Sequence, residues 1–474
     1  MANPCNMMAA VLRLIGLTWL FLFALTAAST NLAQAQDGAA VPAGGDLGVY
    51  PTGWHEERKQ AHEVNRPGPY LYVDGRRGDD SQSGTTDKPW QTLQHAFNQL
   101  NAGDTLIVRE GVYHEKVVLR RSGAPDNPIT IAADPLAKGQ VVIDGRGLLP
   151  KDNWEGLLVL DKVAHVELVG LSIINSNHAG VFARESNYLV VRGVSTCDTW
   201  SSGLQFWKSH HLLVTANDVR RACQGKTPKG KGTQECITVG SCTEFEVSYN
   251  HVWDRTVNHG DGGEGIDAKH SQRGKVHHNL VHDMIRLGIY VDAWDKPLED
   301  IDVYSNVVYR CSSGVVISAE RASGSVTRVT VRDNLLFLNR HHGVEVSDYD
   351  DDGPKRNILI ENNTLTGNGK PKWGGGIFVS TRNTKSAEIV IRRNIVADNI
   401  AWQVAVVGPM LNRVKVTENL IHEFKDYDGG GDAEKEIIGD QALLANPSFM
   451  DPVRHDYRIH EDSPAKSKGY GMGH

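Results

Sequence analysis

Cysteine is scarce in this chain of 474 residues, and so are aromatic side chains and long apolar runs. Beyond Cys5 the cysteines are Cys197, Cys223, Cys236, Cys242 and Cys311, and no C-x-x-C pair occurs, which removes zinc ribbons and thioredoxin-like redox sites. Their odd number leaves at least one thiol unpaired. A bridge from Cys223 to Cys236 would close a basic loop; the other reading is small cysteines packed inside a core. Trp, Phe and Tyr number 10, 10 and 13 against 48 glycines, a balance that favours turn-rich β structure over helix bundles. Positive charge is not in excess: the net charge of −7 argues against a nucleic-acid partner, while leaving acidic substrates open to local charge. The histidine pairs His277-His278 and His341-His342 are adjacent rather than i, i+4, so they lack the spacing of helical metal ligands.

What is present begins with a leader. Residues 1–35 read as a secretory signal peptide, with Arg13 as positive charge, an apolar run from Leu14 to Ala27 and the small-x-small site Ala33-Gln34-Ala35. The run is short for a bilayer span, so the mature chain is expected to carry none and to be secreted or periplasmic. Residues 36–69 show no periodicity and read as an extended lead-in. Residues 70–145 supply a strand at Tyr70–Asp74, a short amphipathic helix from Thr92 to Leu100 and the first coils. Residues 146–440 form the body, and 441–474 a closing segment. A monomer is expected.

The body is a repeat. Gly180-Val181-Phe182-Ala183-Arg184, Gly203-Leu204-Gln205-Phe206-Trp207, Gly288-Ile289-Tyr290-Val291-Asp292, Gly314-Val315-Val316-Ile317-Ser318 and Gly343-Val344-Glu345-Val346-Ser347 share one pattern: a glycine, then inward apolar residues at alternate positions. A second mark is an asparagine after an apolar strand, at 217, 250, 279, 306, 334, 363, 394 and 419, with Gly170 and Gly193 read in its place in the first turns. Successive marks are 23, 24, 33, 29, 27, 28, 29, 31 and 25 residues apart, the period of a solenoid with loop insertions. Each coil cannot bury its apolar side alone, and an inward Asn in every coil can hydrogen-bond along the stack. The expected fold is all-β, a right-handed parallel β-helix of about ten or more coils.

Registering the coils on the glycine puts side chains in columns about 4.8 Å apart. One outward column reads Arg184, Trp207, Gly240, Lys269, Asp292, Ser318, Ser347. Its neighbour reads Phe182, Gln205, Thr238, Asp267, Tyr290, Val316, Glu345. Among the coils, Gly263-Glu264-Gly265-Ile266-Asp267-Ala268-Lys269-His270 alone gathers acids and a base. The same register stacks Glu235 on Glu264, and two carboxylates one strand apart call for a proton or a cation between them. Asp261, in the preceding glycine-rich loop, can join, and oxygen-only ligands favour calcium. Asp348 to Asp352 reads as a solvated turn, with a second cation site as the alternative.

The order of elements over residues 70–145 resembles the opening of secreted right-handed β-helix proteins of the pectate-lyase-like superfamily. Glu264 to Lys269 resembles the metal-and-base strand of two polysaccharide lyase families, family nine (pectate lyases) and family six (chondroitinase B and alginate lyases). That resemblance implies Lys269 as base and Glu264 as calcium ligand, with Asp267 standing where family nine has a small residue. The expected activity is β-elimination on an acidic polysaccharide or oligosaccharide, with Tyr290 returning a proton to the leaving oxygen. Arg184, Lys208, Arg286, Arg321, Trp207, Trp294 and Glu345 are candidate substrate contacts. A glycoside hydrolase using Asp267 and Asp292 on the same scaffold is the alternative, and a non-catalytic glycan-binding β-helix is the third reading.

Overall fold

The structure, a computed structural model, describes residues 46–66, 68–137, 140–152, 154–226, 234–255, 262–348 and 352–472. The leader, Asp261 and most of the basic loop after Gly225 lie outside the described residues. Among those described, the chain coils through three sheets of 13, 12 and 13 strands, each complete coil of the body giving one strand to each, a right-handed parallel β-helix. The 12-stranded sheet carries Leu204–Trp207, Ile237–Gly240, Ile266–Lys269, Ile289–Asp292, Val315–Ser318 and His342–Ser347 as successive neighbours. Ile237, Ile266, Ile289, Val315 and Val344 pair in register and are fully buried, as the period-2 pattern requires. Each such side chain contributes roughly 1.5–3 kcal/mol by leaving water.

The glycine that opens each strand is a matter of space. A Cβ on Gly265 would lie 2.4 Å from the carbonyl oxygen of Gly288, and one on Gly314 would lie 2.5 Å from that of Gly343. Successive coils touch there backbone to backbone, so no side chain fits.

The asparagines form a continuous buried ladder. Asn217 Nδ2 donates to Asn250 Oδ1 at 2.9 Å, and the chain of bonds continues through Asn279, Asn306, Asn334, Asn363 and Asn394 to Asn419. The residue before each Asn, such as Ala216 (φ 56°) or Ser305 (φ 54°), makes the left-handed bend. Gly170 and Gly193 occupy that bend, with φ 69° and 62°, not the asparagine position as the sequence reading had it. Register places Leu171 and Val194 in the Asn column instead, and the Val194 N–H donates to Asn217 Oδ1. A second ladder, Asn339 to Asn368 to Asn399 and on to Gln403, went unread because these residues follow shorter strands on another sheet.

At the N-terminal end the expected helix spans Leu93–Gln99, capped by Thr92, with Leu93, Ala96 and Phe97 on its buried face. The lead-in is not extended throughout: Trp54–Gln60 is helical, with acids in its first turn and bases in its last, the arrangement that suits the helix dipole. The closing segment holds an antiparallel pair, Phe449–Asp451 with Asp456–Ile459. The five described cysteines are free thiols, so the proposed Cys223–Cys236 bridge is absent; both are buried in the core, the packing alternative.

Candidate active site

Lys269 ends the strand Ile266–Lys269, and strand alternation turns it away from the core beside Asp267. Its ammonium lies 2.7 Å from Asp292 Oδ2 on the next coil, 3.2 Å from Asp267 Oδ2 and 3.2 Å from Glu235 Oε1 on the previous coil. Cross-strand pairing of Lys269 with Asp292 and of Thr238 with Asp267 fixes this convergence. Thr238 Oγ1 donates to Glu235 Oε2 at 3.0 Å and orients that carboxylate. Outward from the core does not mean open to solvent here: Asp267 and Asp292 have no exposed surface, and Gln205, Thr238, Tyr290 and Val316 are buried.

Low access to water sets the electrostatics. Burial pushes Asp292 up to about 7 against the pull of Lys269. Burial, reinforced by Glu235 and Asp292, lifts Asp267 well above the carboxylate range. For Lys269 burial works the other way, but Asp267, Glu235 and Asp292 outweigh it and hold the ammonium well above its usual range. Three carboxyl groups share one ammonium, and Asp267 Oδ1 and Asp292 Oδ1 have no hydrogen-bond partner.

The other expected residues divide. Tyr290 belongs to the site: it is buried, adjoins Asp267 in register and donates its hydroxyl to Glu320 at 2.5 Å. Glu320 was missed, although it follows Ser318 at the alternation of the outward column. Glu264 stacks below Glu235 by register, but its carboxylate turns to Arg286, which donates from Nε and Nη2 at 3.1 and 3.0 Å. The repulsion expected of the stacked pair is thus met by two side-chain cations, Lys269 on Glu235 and Arg286 on Glu264. Arg184 is tied to Asp161 at 2.8 Å, a partner the sequence reading did not identify. Arg321 lies over the half-exposed ring of Trp294, 4.8 Å from its centroid. Glu345 sits further along the column, where Ser313 Oγ donates to it, and burial pushes its carboxyl up to about 7. Lys208 is exposed at the end of the Trp207 strand. Of the acidic turn 348–352, the end residues Asp348 and Asp352 both pair with the fully buried Lys355, so a lysine supplies the positive charge there.

The expected calcium ligands are oxygen donors, but Glu235 is bonded to Lys269 and Thr238, Glu264 to Arg286, and Asp261 lies outside the described residues. In geometry they do not converge: among the described residues no three His, Cys, Asp or Glu side chains are arranged to hold a metal ion. Among the described residues no helix is long and apolar enough to cross a membrane.

Residues 71–276, which include Glu235, Glu264 and Lys269, match the family described as Pel9A-like, right handed beta helix region. Residues 231–426 match the periplasmic copper-binding protein NosD. The uncharacterized protein YwoF of Bacillus subtilis (strain 168) is 26% identical over 444 residues, covering 84% of this chain and 92% of its own. Pectate lyase PEL9 of Emericella nidulans is 29% identical over 140 residues, 27% of this chain and 33% of its own length. Among solved structures, XylC in complex with xylose aligns with a TM-score of 0.57 at 12% identity, over 80% of this chain and 87% of that one. The chain is a right-handed parallel β-helix whose residues 71–276 match the Pel9A-like helix region.

Proposed function

We propose that the chain is an exported polysaccharide lyase that cleaves a uronate-containing polysaccharide by β-elimination. The observation that carries this is the convergence of three carboxylates on Lys269 in a water-poor site, of which Glu235, Asp267 and Lys269 fall in the segment that matches the Pel9A-like region and Asp292 just beyond it. Lys269 takes the proton on the carbon next to the uronate carboxyl group. The electron pair of that C–H bond forms the new C=C bond as the glycosidic C–O bond breaks. Tyr290, its hydroxyl held by Glu320, delivers a proton to the departing oxygen. No step runs through calcium, because Lys269 takes the carboxylate of Glu235 and Arg286 that of Glu264.

Lys269 must lose a proton before it can act, and its neighbours decide how easily. Two of the carboxylates beside it, Asp267 and Asp292, are themselves poor at holding their charge, with Asp292 at about 7 and 2.7 Å away. Asp292 is the nearest acceptor, and with Lys269 held well above its usual range that transfer runs uphill, so the lysine is basic only in a minor fraction of the protein. The same raised carboxyls favour a second reading, in which Asp267 and Asp292 act as the acid and base of a glycoside hydrolase. A panel of uronate-bearing and neutral polysaccharides separates the two. Products that absorb as unsaturated uronides support the lyase; new reducing ends without that absorbance would replace it with the hydrolase.

A further inference from the structure

Trp207 stands two strands before Lys269 in the same outward column, with Gly240 between them. A Cβ on Gly240 would lie 2.6 Å from Cε3 and Cζ3 of the Trp207 indole, so the six-membered ring rests on the bare backbone of the next coil, toward Lys269. Any side chain at 240 would lift it. The indole N–H of Trp207 is buried and has no hydrogen-bond partner, an arrangement that folded chains keep at a cost. Trp154 lies against it, ring centroids 4.9 Å apart and planes tilted by 59°, and is itself 51% exposed. On the other side of Trp207 in the column, Arg184 is spent on Asp161.

We propose that Trp207, with Trp154 as its outer wall, is a saccharide subsite that binds a pyranose ring by stacking on its C–H face. A ring entering between the indoles displaces the half-exposed Trp154 and brings a hydroxyl to accept from Nε1. Two strand spacings, roughly 10 Å, separate this subsite from Lys269, so the stacked unit lies along the chain from the reacting one. Aromatic stacking is insensitive to charge, so the subsite reads ring shape, whereas the lysine site reads the uronate. The inference rests on the carbohydrate reading of the site but not on elimination.

Affinity electrophoresis of the full chain through gels carrying polygalacturonate or xylan tests it without any turnover. Trp207→Ala is expected to weaken retention at least tenfold, equally at low and high salt. Gly240→Ala should weaken it by crowding the indole, and Trp207→Phe should recover part. Melting curves of the variants verify that the fold is kept. Retention of Trp207→Ala equal to the parent, a loss that disappears at high salt, or no retention of the parent by either polymer would overturn the subsite. Retention by xylan alone, lost in Trp207→Ala, would support the subsite while counting against the uronate reading.

Discussion

At the scale of single residues the site is a contest between burial and charge around Lys269. Burial alone would free the lysine of its proton; Asp267, Glu235 and Asp292 together keep it on. Removing one carboxylate should therefore shift the balance in a known direction. Asp292→Asn takes away the nearest negative group, at 2.7 Å, so the lysine pKa falls and a larger fraction is basic at a given pH. The acid limb of the kcat/KM profile should move to lower pH, with activity kept or raised; an unmoved limb would show that Lys269 is not the titrating base. The Lys269–Asp292 contact was legible in the sequence, because register alone brings the two side chains together. The partners of Glu264 and Arg184 were not. Arg286 lies in the turn before the next strand, off the strand register, and Asp161 pairs with Arg184 from the preceding coil, where Leu157 stands in place of the glycine that marks the others.

At the scale of elements, stability comes from contacts that repeat from coil to coil. Asn306 donates to Asn334 Oδ1 and the Val276 carbonyl, and accepts from both the backbone N–H and side chain of Asn279. Asn306→Ala breaks all four and strands a buried N–H, which should cost about 2–3 kcal/mol, read as a lower urea midpoint. An unchanged midpoint would mean that the ladder is not a stabilising element. Glu345 gives the strand His342–Ser347 a pH dependence of definite sign. Burial raises its carboxyl from 4.5 to about 7, so the folded chain holds a proton that the unfolded chain releases. Its contribution to stability therefore falls as pH rises through that window. Glu345→Gln should flatten the slope of stability against pH there, and an unaltered slope would contradict the burial assigned to it. The Asn mark was readable because one residue type recurs at one offset from an apolar strand. The glycine bends were misplaced by one residue because Gly and Asn both favour left-handed backbone, and sequence alone does not say which role each fills.

At the scale of the molecule, the fold was legible because a β-helix writes its period directly into the chain. The same register that stacks Ile266, Ile289 and Val315 in the core places Asp267, Lys269 and Asp292 on the opposite face. Ile289→Asp would bury an unpaired charge at a fully buried position and should collapse the cooperative melt of the whole solenoid. The burial of the outward face was not legible, because whether Asp267 and Asp292 are covered depends on contacts distant in sequence. That burial is what lets Lys269, Asp267 and Asp292 perturb one another so strongly, and the proposed activity rests on it. The most direct test is the absorbance of unsaturated uronide released from a uronate polymer by the parent and by Lys269→Ala, with folding checked by circular dichroism. The account predicts that the parent generates the absorbance and that Lys269→Ala lowers its rate by roughly 10²–10⁴, with Lys269→Arg equally poor because guanidinium does not give up its proton. A folded Lys269→Ala that cleaves the polymer as fast as the parent would contradict it.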